Sequence, residues 1–361
     1  MVTTSQRRKF WPSESRPIST LGGVGLYAYH LVRAELQTTR ELGEDLLTLA
    51  EQSQDPLSLL GAHWALGGAL FCLGEFVRAR AHWDQSLALE DAARHASPTF
   101  LWGWDLGVLC RFWTPHALWH LGYPDQALAL SGEAVTLAQQ LSHPFSMAAS
   151  LDYAAMLQQF RREPPGVHTR AEAAIALCTE QGFAYYLAWG TTMQGWACVM
   201  QGKGEAGMAQ TQRGLAALRA TGASLRLPYY LALLAEVCGH TDQATEGLTL
   251  VAEALAHVHT TGECWWEAEL QRLKGELLLR LSAERAVEAE ACFRSALERA
   301  RAQQAKALEL RAATSLGRLW QRQGKHAEAR HLLAEVYSWF TEGFDTADLQ
   351  EAKVLLEELG G

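Results

Sequence analysis

Several features are scarce in this sequence, and each scarcity excludes a class of protein. Only 10 of 361 residues are proline and 48% are hydrophobic, so the chain does not have the composition of a disordered segment. The seven cysteines are odd in number and form no Cys-x-x-Cys pair, which indicates reduced thiols in a cytoplasmic protein. The net charge is −9 and no basic stripe is present, which argues against nucleic-acid binding.

Motifs that carry chemistry are also missing. No G-x-x-x-x-G-K-[ST] nucleotide loop occurs in the sequence. His116 and His120 share one helical face as zinc ligands do, but no glutamate lies between them to act as a base. Packed or solvated histidines are therefore the preferred interpretation. We expect no enzyme activity, no cofactor and no metal site.

The N-terminus contains a partial match to an export signal. Arg7-Arg8-Lys9-Phe10 resembles part of a twin-arginine motif, but the weakly apolar stretch that follows, 21–32, is too short to span a bilayer. We interpret residues 1–20 as a flexible leader and expect no membrane association.

A repeat of about 40 residues runs through the rest of the chain. Six residues occupy its turn positions: Gly74, Gly122, Gly202, Asp242, Glu284 and Gly324. A degenerate copy has its turn near Arg162, and an earlier copy has its turn near Ala34. Each copy would be a supersecondary unit that cannot bury its apolar face alone, so the units must stack.

The pattern between turns has the helical period. Leu66, Leu70 and Leu73 form one apolar stripe, and prolines such as Pro56 and Pro144 stand where first helices should begin. We predict an all-α helical solenoid of about eight helix-turn-helix units, without a β-sheet. The array should span 21–344, with about eight extra residues near 92–99 and a charged capping helix within 345–361.

Small residues recur seven positions before and five positions after the turn. Gly195 and Gly207 are one such pair, twelve residues apart, and Gly67 with Ala79 is another. These positions face each other where two helices cross closely, since a larger side chain would separate the helices. The spacing is typical of tetratricopeptide repeats, whose usual unit is about 34 residues long.

Four sequence blocks carry a more specific resemblance: 31–36, 141–146, 187–191 and 339–352. Together they resemble the C-terminal tetratricopeptide region of large bacterial signalling proteins. In those proteins, an adenylate/guanylate cyclase or kinase domain precedes a P-loop ATPase of the predicted-ATPase type, and the repeats follow. Relatives commonly read Gly-Gln-Asp-Pro-Gly where this chain has Gly-Trp-Asp-Leu-Gly at 103–107, which leaves the role of that loop open.

The resemblance implies a non-catalytic module for protein–protein interaction or regulatory sensing. Its expected partner is a protein or peptide, with a cyclase/P-loop ATPase region in cis or in trans as one possibility. Two alternatives stay open: a free-standing adaptor scaffold, and a solenoid that senses a small molecule.

In tetratricopeptide arrays the first helix of each unit lines the concave face. Projected onto this chain, that face is rich in aromatic residues and methionine, which suits a binding site for a peptide or an apolar ligand. Packing between repeats would explain the same residues equally well. The face continues to Glu236 and His240. The candidate partner- or ligand-binding residues are Trp64, Trp104, Asp105, Phe112, Trp113, His116, Trp119, Tyr153, Trp189, Met193, Trp196 and Tyr229.

Charges of both signs alternate through residues 263–311. Glu290 and Arg294 form an i,i+4 pair in the favourable order. We expect this segment to be a solvated outer face.

Overall fold

Helices dominate the computed structural model, which describes residues 20–96, 100–101 and 104–360. None of the helices described is long and apolar enough to cross a membrane. Eight helical hairpins follow one another, which confirms the predicted all-α solenoid. They are α1 (Thr20–Val32) with α2 (Leu36–Ser53), α3 (Pro56–Cys72) with α4 (Phe76–Ala88), α6 (Leu106–His120) with α7 (Pro124–Leu141), α8 (Pro144–Phe160) with α9 (Pro164–Gln181), α10 (Ala184–Met200) with α11 (Gly204–Ala220), α12 (Leu227–His240) with α13 (Ala244–Thr261), α14 (Glu267–Leu281) with α15 (Ala286–Ala302), and α16 (Lys306–Arg322) with α17 (His326–Tyr337).

The turns inside the hairpins lie where the repeat predicts them. The predicted glycines have φ between 75° and 89°, and Ala34, Arg162 and Asp242 adopt the same left-handed conformation. Glu284 does not, because the join between α14 and α15 is a 3₁₀ turn, Ala283–Arg285, in which the Ser282 side chain accepts a hydrogen bond from the Glu284 amide. One of the predicted turns therefore has a different shape.

A second class of left-handed turn joins one hairpin to the next. Gly182, Gly222 and Gly262 end their second helices with φ of 74° to 76° and lie 40 residues apart. This second glycine series has the same 40-residue period and marks the joins between hairpins.

The small residues of the repeat lie at close helix crossings, as predicted. A Cβ atom added to Gly195 of α10 would lie 2.5 Å from the Thr211 amide nitrogen of α11, and one added to Gly207 would lie 2.7 Å from the Gly195 carbonyl oxygen. The two helices therefore touch backbone to backbone, and no side chain fits between them.

The insertion between α4 and α6 contains the one departure from a purely helical chain among the described residues. A short helix, α5 (Glu90–Ala96), is followed by two residue pairs, β1 (Phe100–Leu101) and β2 (Trp104–Asp105), which run antiparallel with Phe100 opposite Asp105. Asp105 then caps α6, since its side chain accepts a hydrogen bond from the Val108 amide at 3.1 Å. The expectation of no β-structure is wrong for this short ribbon.

The superhelix closes onto itself. The carbonyl oxygen of Val32 at the end of α1 accepts hydrogen bonds from the amides of Ser224 (2.9 Å) and Leu225 (3.0 Å), in the loop that precedes α12. In the next hairpin the Cys72 carbonyl accepts one from the Cys264 amide at 3.0 Å. Each contact joins residues about 190 positions apart, so successive superhelical turns lie directly against each other. We call these contacts the seam.

The C-terminal segment extends the seam. The Glu342 carboxylate accepts hydrogen bonds from the amides of Asp125 (3.0 Å) and Gln126 (3.1 Å), at the start of α7. The last helix, α18 (Ala347–Glu358), then packs against α16 and α17. The boundaries proposed for the array and its cap stay predictions, and residues 1–19 of the predicted leader lie outside the described residues.

Candidate functional site

The predicted aromatic face is inside the molecule. Trp64 is half-buried, and the Trp104 side chain lies outside the part of the chain that is described. The other ten candidate residues are between 0 and 6% exposed: Asp105, Phe112, Trp113, His116, Trp119, Tyr153, Trp189, Met193, Trp196 and Tyr229. The described residues thus do not form the open aromatic groove that was one of two expectations.

Closure of the superhelix explains this burial. Side chains from the first helix of several hairpins contact the loop that precedes α14, on the other side of the superhelix axis. The ring centre of Phe71 lies 5.5 Å from that of Trp265, and the Phe160 ring stacks on Trp266 at 4.9 Å. Aromatic rings pack well at such separations and bury large areas. Packing, the alternative interpretation of these residues, is the arrangement found.

Three of the candidate residues surround a cation that belongs to the chain itself. Arg226 is 4% exposed, and its guanidinium carbon lies 4.5 Å from the ring centre of Trp113, 4.9 Å from Tyr153 and 5.0 Å from Trp189. Its Nη2 donates to the Tyr153 hydroxyl at 2.5 Å. Cation–π attraction of this kind stabilises a guanidinium that no carboxylate of the described residues approaches within 4 Å.

The two histidines are packed. His116 Nε2 contacts the Tyr153 carbonyl oxygen at 3.0 Å, and His120 Nδ1 contacts the His116 carbonyl oxygen at 2.7 Å. Burial lowers the pKa of each to about 3, so both rings are neutral at pH 7. Among the described residues, no group of three or more His, Cys, Asp or Glu side chains could hold a metal ion.

A charged cavity lies on the inner face of the C-terminal hairpins, among α12, α14, α16 and α18. Its volume is about 210 Å³, below the roughly 300–1,000 Å³ of pockets for drug-sized ligands. We call it the inner cavity. Its lining includes five arginines, five carboxylates and one histidine: Arg162, Arg272, Arg280, Arg311, Arg318, Glu236, Glu269, Glu276, Asp348, Glu351 and His240.

The floor of the inner cavity is an ion-pair network. Arg272 binds both oxygens of Glu269, at 2.7 and 2.9 Å, and reaches Glu276 at 3.4 Å. Arg311 pairs with Asp348 at 2.9 Å and with Glu269 at 3.5 Å. Burial alone would raise the pKa of Glu269, but Arg272 and Arg311 outweigh it and hold the pKa at about 2.

The network continues to the rim through the C-terminal helix. Arg162 contacts Asp348 at 3.3 Å and Glu351 at 2.7 Å, and Arg318 contacts Glu351 at 3.0 Å. Helix α18 therefore closes one side of the cavity with charges that are already paired.

Glu236 and Arg280 differ from the other charged groups of the lining. Glu236 Oε2 accepts a hydrogen bond from Trp196 Nε1 at 2.7 Å, and Arg280 Nη1 donates to the Gly239 carbonyl oxygen at 2.5 Å. Within the described residues neither has an opposite charge within 4 Å, whereas every other arginine and carboxylate of the lining has one.

Buried candidate residues support the lining from behind. Trp196 orients Glu236 through the bond just described, and the Tyr229 hydroxyl donates to Gln159 Oε1 at 3.0 Å. Trp196 and Tyr229 thus lie directly beneath the cavity, and Glu236 and His240 are part of its lining.

The expectation of a solvated outer face over 263–311 is wrong for its inward residues. Glu263, Glu269 and Arg311 are 0, 8 and 7% exposed. The repeat itself carries the missed signal, since Glu276 and Arg280 lie 40 residues after Glu236 and His240. On the outer side, the predicted pair of Glu290 and Arg294 is present at 2.8 Å.

Comparison with known sequences gives a distant relative. No protein-family model matches the chain. An uncharacterised protein of Rhizobium meliloti (strain 1021) is 29% identical over 276 residues, which is 76% of this chain and 26% of that protein. The chain therefore spans about a quarter of the length of that relative.

Solved structures share the fold. A Rap protein complexed with competence and sporulation factor is similar with a TM-score of 0.57 and 10% identity, over 95% of this chain and 97% of that one. Aspartyl phosphate phosphatase F from Bacillus subtilis is similar with a TM-score of 0.53 and 9% identity, over 91% of this chain and 95% of that one. At such identities the similarity establishes the architecture alone.

Proposed function

We propose that this chain is a non-catalytic recognition module of a bacterial signalling system, which binds a peptide or protein partner in the inner cavity. The observation that carries the proposal is the cavity itself, in which charged side chains converge on the inner face of a solenoid. Convergent polar groups in a concave site fix the orientation and specificity of a ligand. Repeat solenoids commonly use concave surfaces for binding.

The solved relatives are consistent with this proposal. The Rap protein was determined with a bound factor, and its chain matches this one over nearly the whole length. The activity named for the phosphatase is not carried over, because 9% identity supports a shared fold only.

We further propose that the module acts with a cyclase/P-loop ATPase region, in cis or in trans. The support is the resemblance of blocks 141–146 and 339–352 to such proteins, together with the greater length of the Rhizobium relative. An antibody against the chain tests the cis form in the native cells. A polypeptide several times larger than 39.8 kDa supports fusion, and a band near that mass contradicts it.

Partner binding is tested with the immobilised full chain and an extract of its own cells. The double variant Glu236→Gln/Arg280→Gln removes the two unpaired charges of the inner cavity. The matched control is Arg285→Gln/Glu288→Gln, which removes a solvent-accessible pair outside the cavity lining whose charged atoms lie 2.7 Å apart.

The wild type and the control should retain the same partner. The cavity variant should retain at most about a tenth as much of it, because a hydrogen bond to a charged group contributes roughly 1.5–3 kcal/mol. Equal retention by all three proteins, or no specific retention by any, would contradict the proposal.

A further inference from the structure

The two unpaired charges line the same inner cavity and are both anchored at the end of α12. Glu236 and Gly239 lie within one turn of α12, and the Arg280 guanidinium is fixed to the Gly239 carbonyl at 2.5 Å. Both groups therefore lie at the same end of α12 and line the same cavity, although they do not pair within 4 Å.

His240 lies beside both groups. Burial lowers its pKa, Glu236 opposes that effect, and Arg280 and Arg162 add to it. Among the described residues, His240 forms no ion pair with Glu236 within 4 Å.

Both unpaired groups are held in place by neighbours and still have bonding capacity. Trp196 occupies Glu236 Oε2, and no described residue donates to Oε1. Gly239 occupies one nitrogen of Arg280, whose Nε and Nη2 make no hydrogen bond with the described residues. A carboxylate and a guanidinium held in this way present preorganised opposite charges to the same cavity.

We propose that the inner cavity binds a zwitterion, namely an amino acid or a short peptide with free termini, whose ammonium group is held by Glu236 and whose carboxylate is held by Arg280. The inference rests on the proposed function, because it names the ligand chemistry of the same site. The bonds are a charge-assisted contact from the ligand ammonium to Glu236 Oε1 and bonds from Arg280 Nε and Nη2 to the ligand carboxylate.

The size and the charge of the site favour this class of ligand. A cavity of about 210 Å³ suits a group smaller than a drug-sized molecule. An anion alone would leave Glu236 without a direct ion pair, and a cation alone would leave Arg280 without one. A zwitterion satisfies both, and the other cavity charges already satisfy each other.

Equilibrium dialysis of the full chain tests the proposal. The probes are a mixture of the proteinogenic amino acids and a synthetic library of all tripeptides, the latter in free, N-acetylated and C-amidated forms. Mass spectrometry compares the concentration of each compound on the two sides of the membrane. We expect at least one compound with free termini to be enriched, and its acetylated or amidated form to lose that enrichment.

The variants assign the contacts. Glu236→Gln and Arg280→Gln should each weaken binding of the enriched compound about tenfold or more, whereas Arg285→Gln/Glu288→Gln should not change it. Enrichment of no free compound, equal enrichment of blocked forms, or unchanged binding by both cavity variants overturns the proposal. The comparison of free and blocked forms uses the wild type, so it holds even if a variant fails to fold.

The experiments distinguish failure of the proposed ligand class from failure of the proposed function. A cell partner that is retained by the wild type and lost with the cavity variant, while no zwitterion is enriched, contradicts the ligand class but leaves the proposed function standing.

Discussion

At the scale of residues, the smallest side chains decide how the hairpins assemble. Gly195 and Gly207 bring α10 and α11 into backbone contact, and an added Cβ at Gly195 would lie 2.5 Å from the Thr211 amide nitrogen. Atoms of the backbone cannot move aside as the end of a flexible side chain can. A methyl group at this position must therefore separate the helices.

Gly195→Ala should lower the free energy of unfolding by about 2 kcal/mol, as overpacking does. The control is Gly132→Ala in α7, where an added Cβ would meet nothing within 4 Å. Alanine favours helix over glycine, so the control should be neutral or stabilising by up to about 1 kcal/mol. Urea unfolding of the two variants measures both values, and equal effects would contradict the close crossing.

Glu263 is a buried carboxyl group whose titration makes stability depend on pH. It is fully buried, its Oε1 accepts from the Arg226 amide at 2.8 Å and from Trp265 Nε1 at 2.9 Å, and burial raises its pKa to about 7. Its ordinary pKa is 4.5, so between pH 4.5 and about 7 the unfolded chain loses this proton before the folded chain does. The free energy of unfolding therefore falls as pH rises through that window.

Glu263→Gln should remove this fall, because a neutral amide oxygen accepts the same two hydrogen bonds. Between pH 4.5 and 7, the free energy of unfolding of the variant should rise relative to that of the wild type by up to about 3 kcal/mol, at 1.36 kcal/mol per pKa unit. Chemical unfolding at several pH values checks the difference. Glu288→Gln, an exposed control, should show no such gain, and a pH-independent difference for Glu263→Gln would refute the account.

At the scale of elements, the turns explain why the fold could be predicted from sequence. Gly74, Gly122, Gly202 and Gly324 mark left-handed turns because an L-residue with a side chain adopts that conformation at a cost. Asp242 holds the same conformation, with φ 57°, whereas Glu284 belongs to a 3₁₀ turn. Sequence spacing alone treats the two residues as equivalent.

Asp242→Gly should therefore stabilise the chain by about 0.5–1 kcal/mol, since it relieves a left-handed backbone. Glu284→Gly should not stabilise it, because glycine only increases the freedom of the unfolded chain there. Thermal unfolding of both exposed variants provides the test. Stabilisation by Glu284→Gly would mean that the two turns share one shape.

The candidate site could be predicted only in part, for reasons that also lie in the elements. Local spacing predicts which helix face points inward, and Glu236 and His240 on that face line the cavity. It contains no information on what lies opposite that face. Trp113 and Trp189 are consequently on the predicted side of their helices and yet buried around Arg226, a residue of a distant loop.

At the scale of the whole molecule, the pitch of the superhelix decides which inner residues are accessible. The pitch results from small rotations added over successive hairpins, which no single repeat encodes in its spacing. Here the pitch brings Val32 against Ser224 and Cys72 against Cys264, so aromatic side chains fill the axis. The inner cavity stays open where arginines and carboxylates replace those aromatic residues.

Amide hydrogen exchange tests the seam. The Ser224, Leu225 and Cys264 amides lie in loops, but each donates a hydrogen bond across the seam and should exchange as slowly as neighbouring helix amides. The Ala223 amide, bonded only to the nearby Thr221 hydroxyl at 3.3 Å, is the internal control and should exchange fast. Equally fast exchange at all four positions would mean that the superhelix is open in solution.

Ligand binding at the inner cavity of the closed solenoid can be measured by site-specific photo-crosslinking, with a benzophenone amino acid at Arg318 on the cavity wall or at Val287, which is 81% exposed on α15. In an extract of the native cells, we expect a discrete crosslinked partner from position 318, lost when Glu236→Gln/Arg280→Gln is added, and none from position 287. Crosslinking from position 287 alone, or at position 318 regardless of the cavity charges, would contradict it.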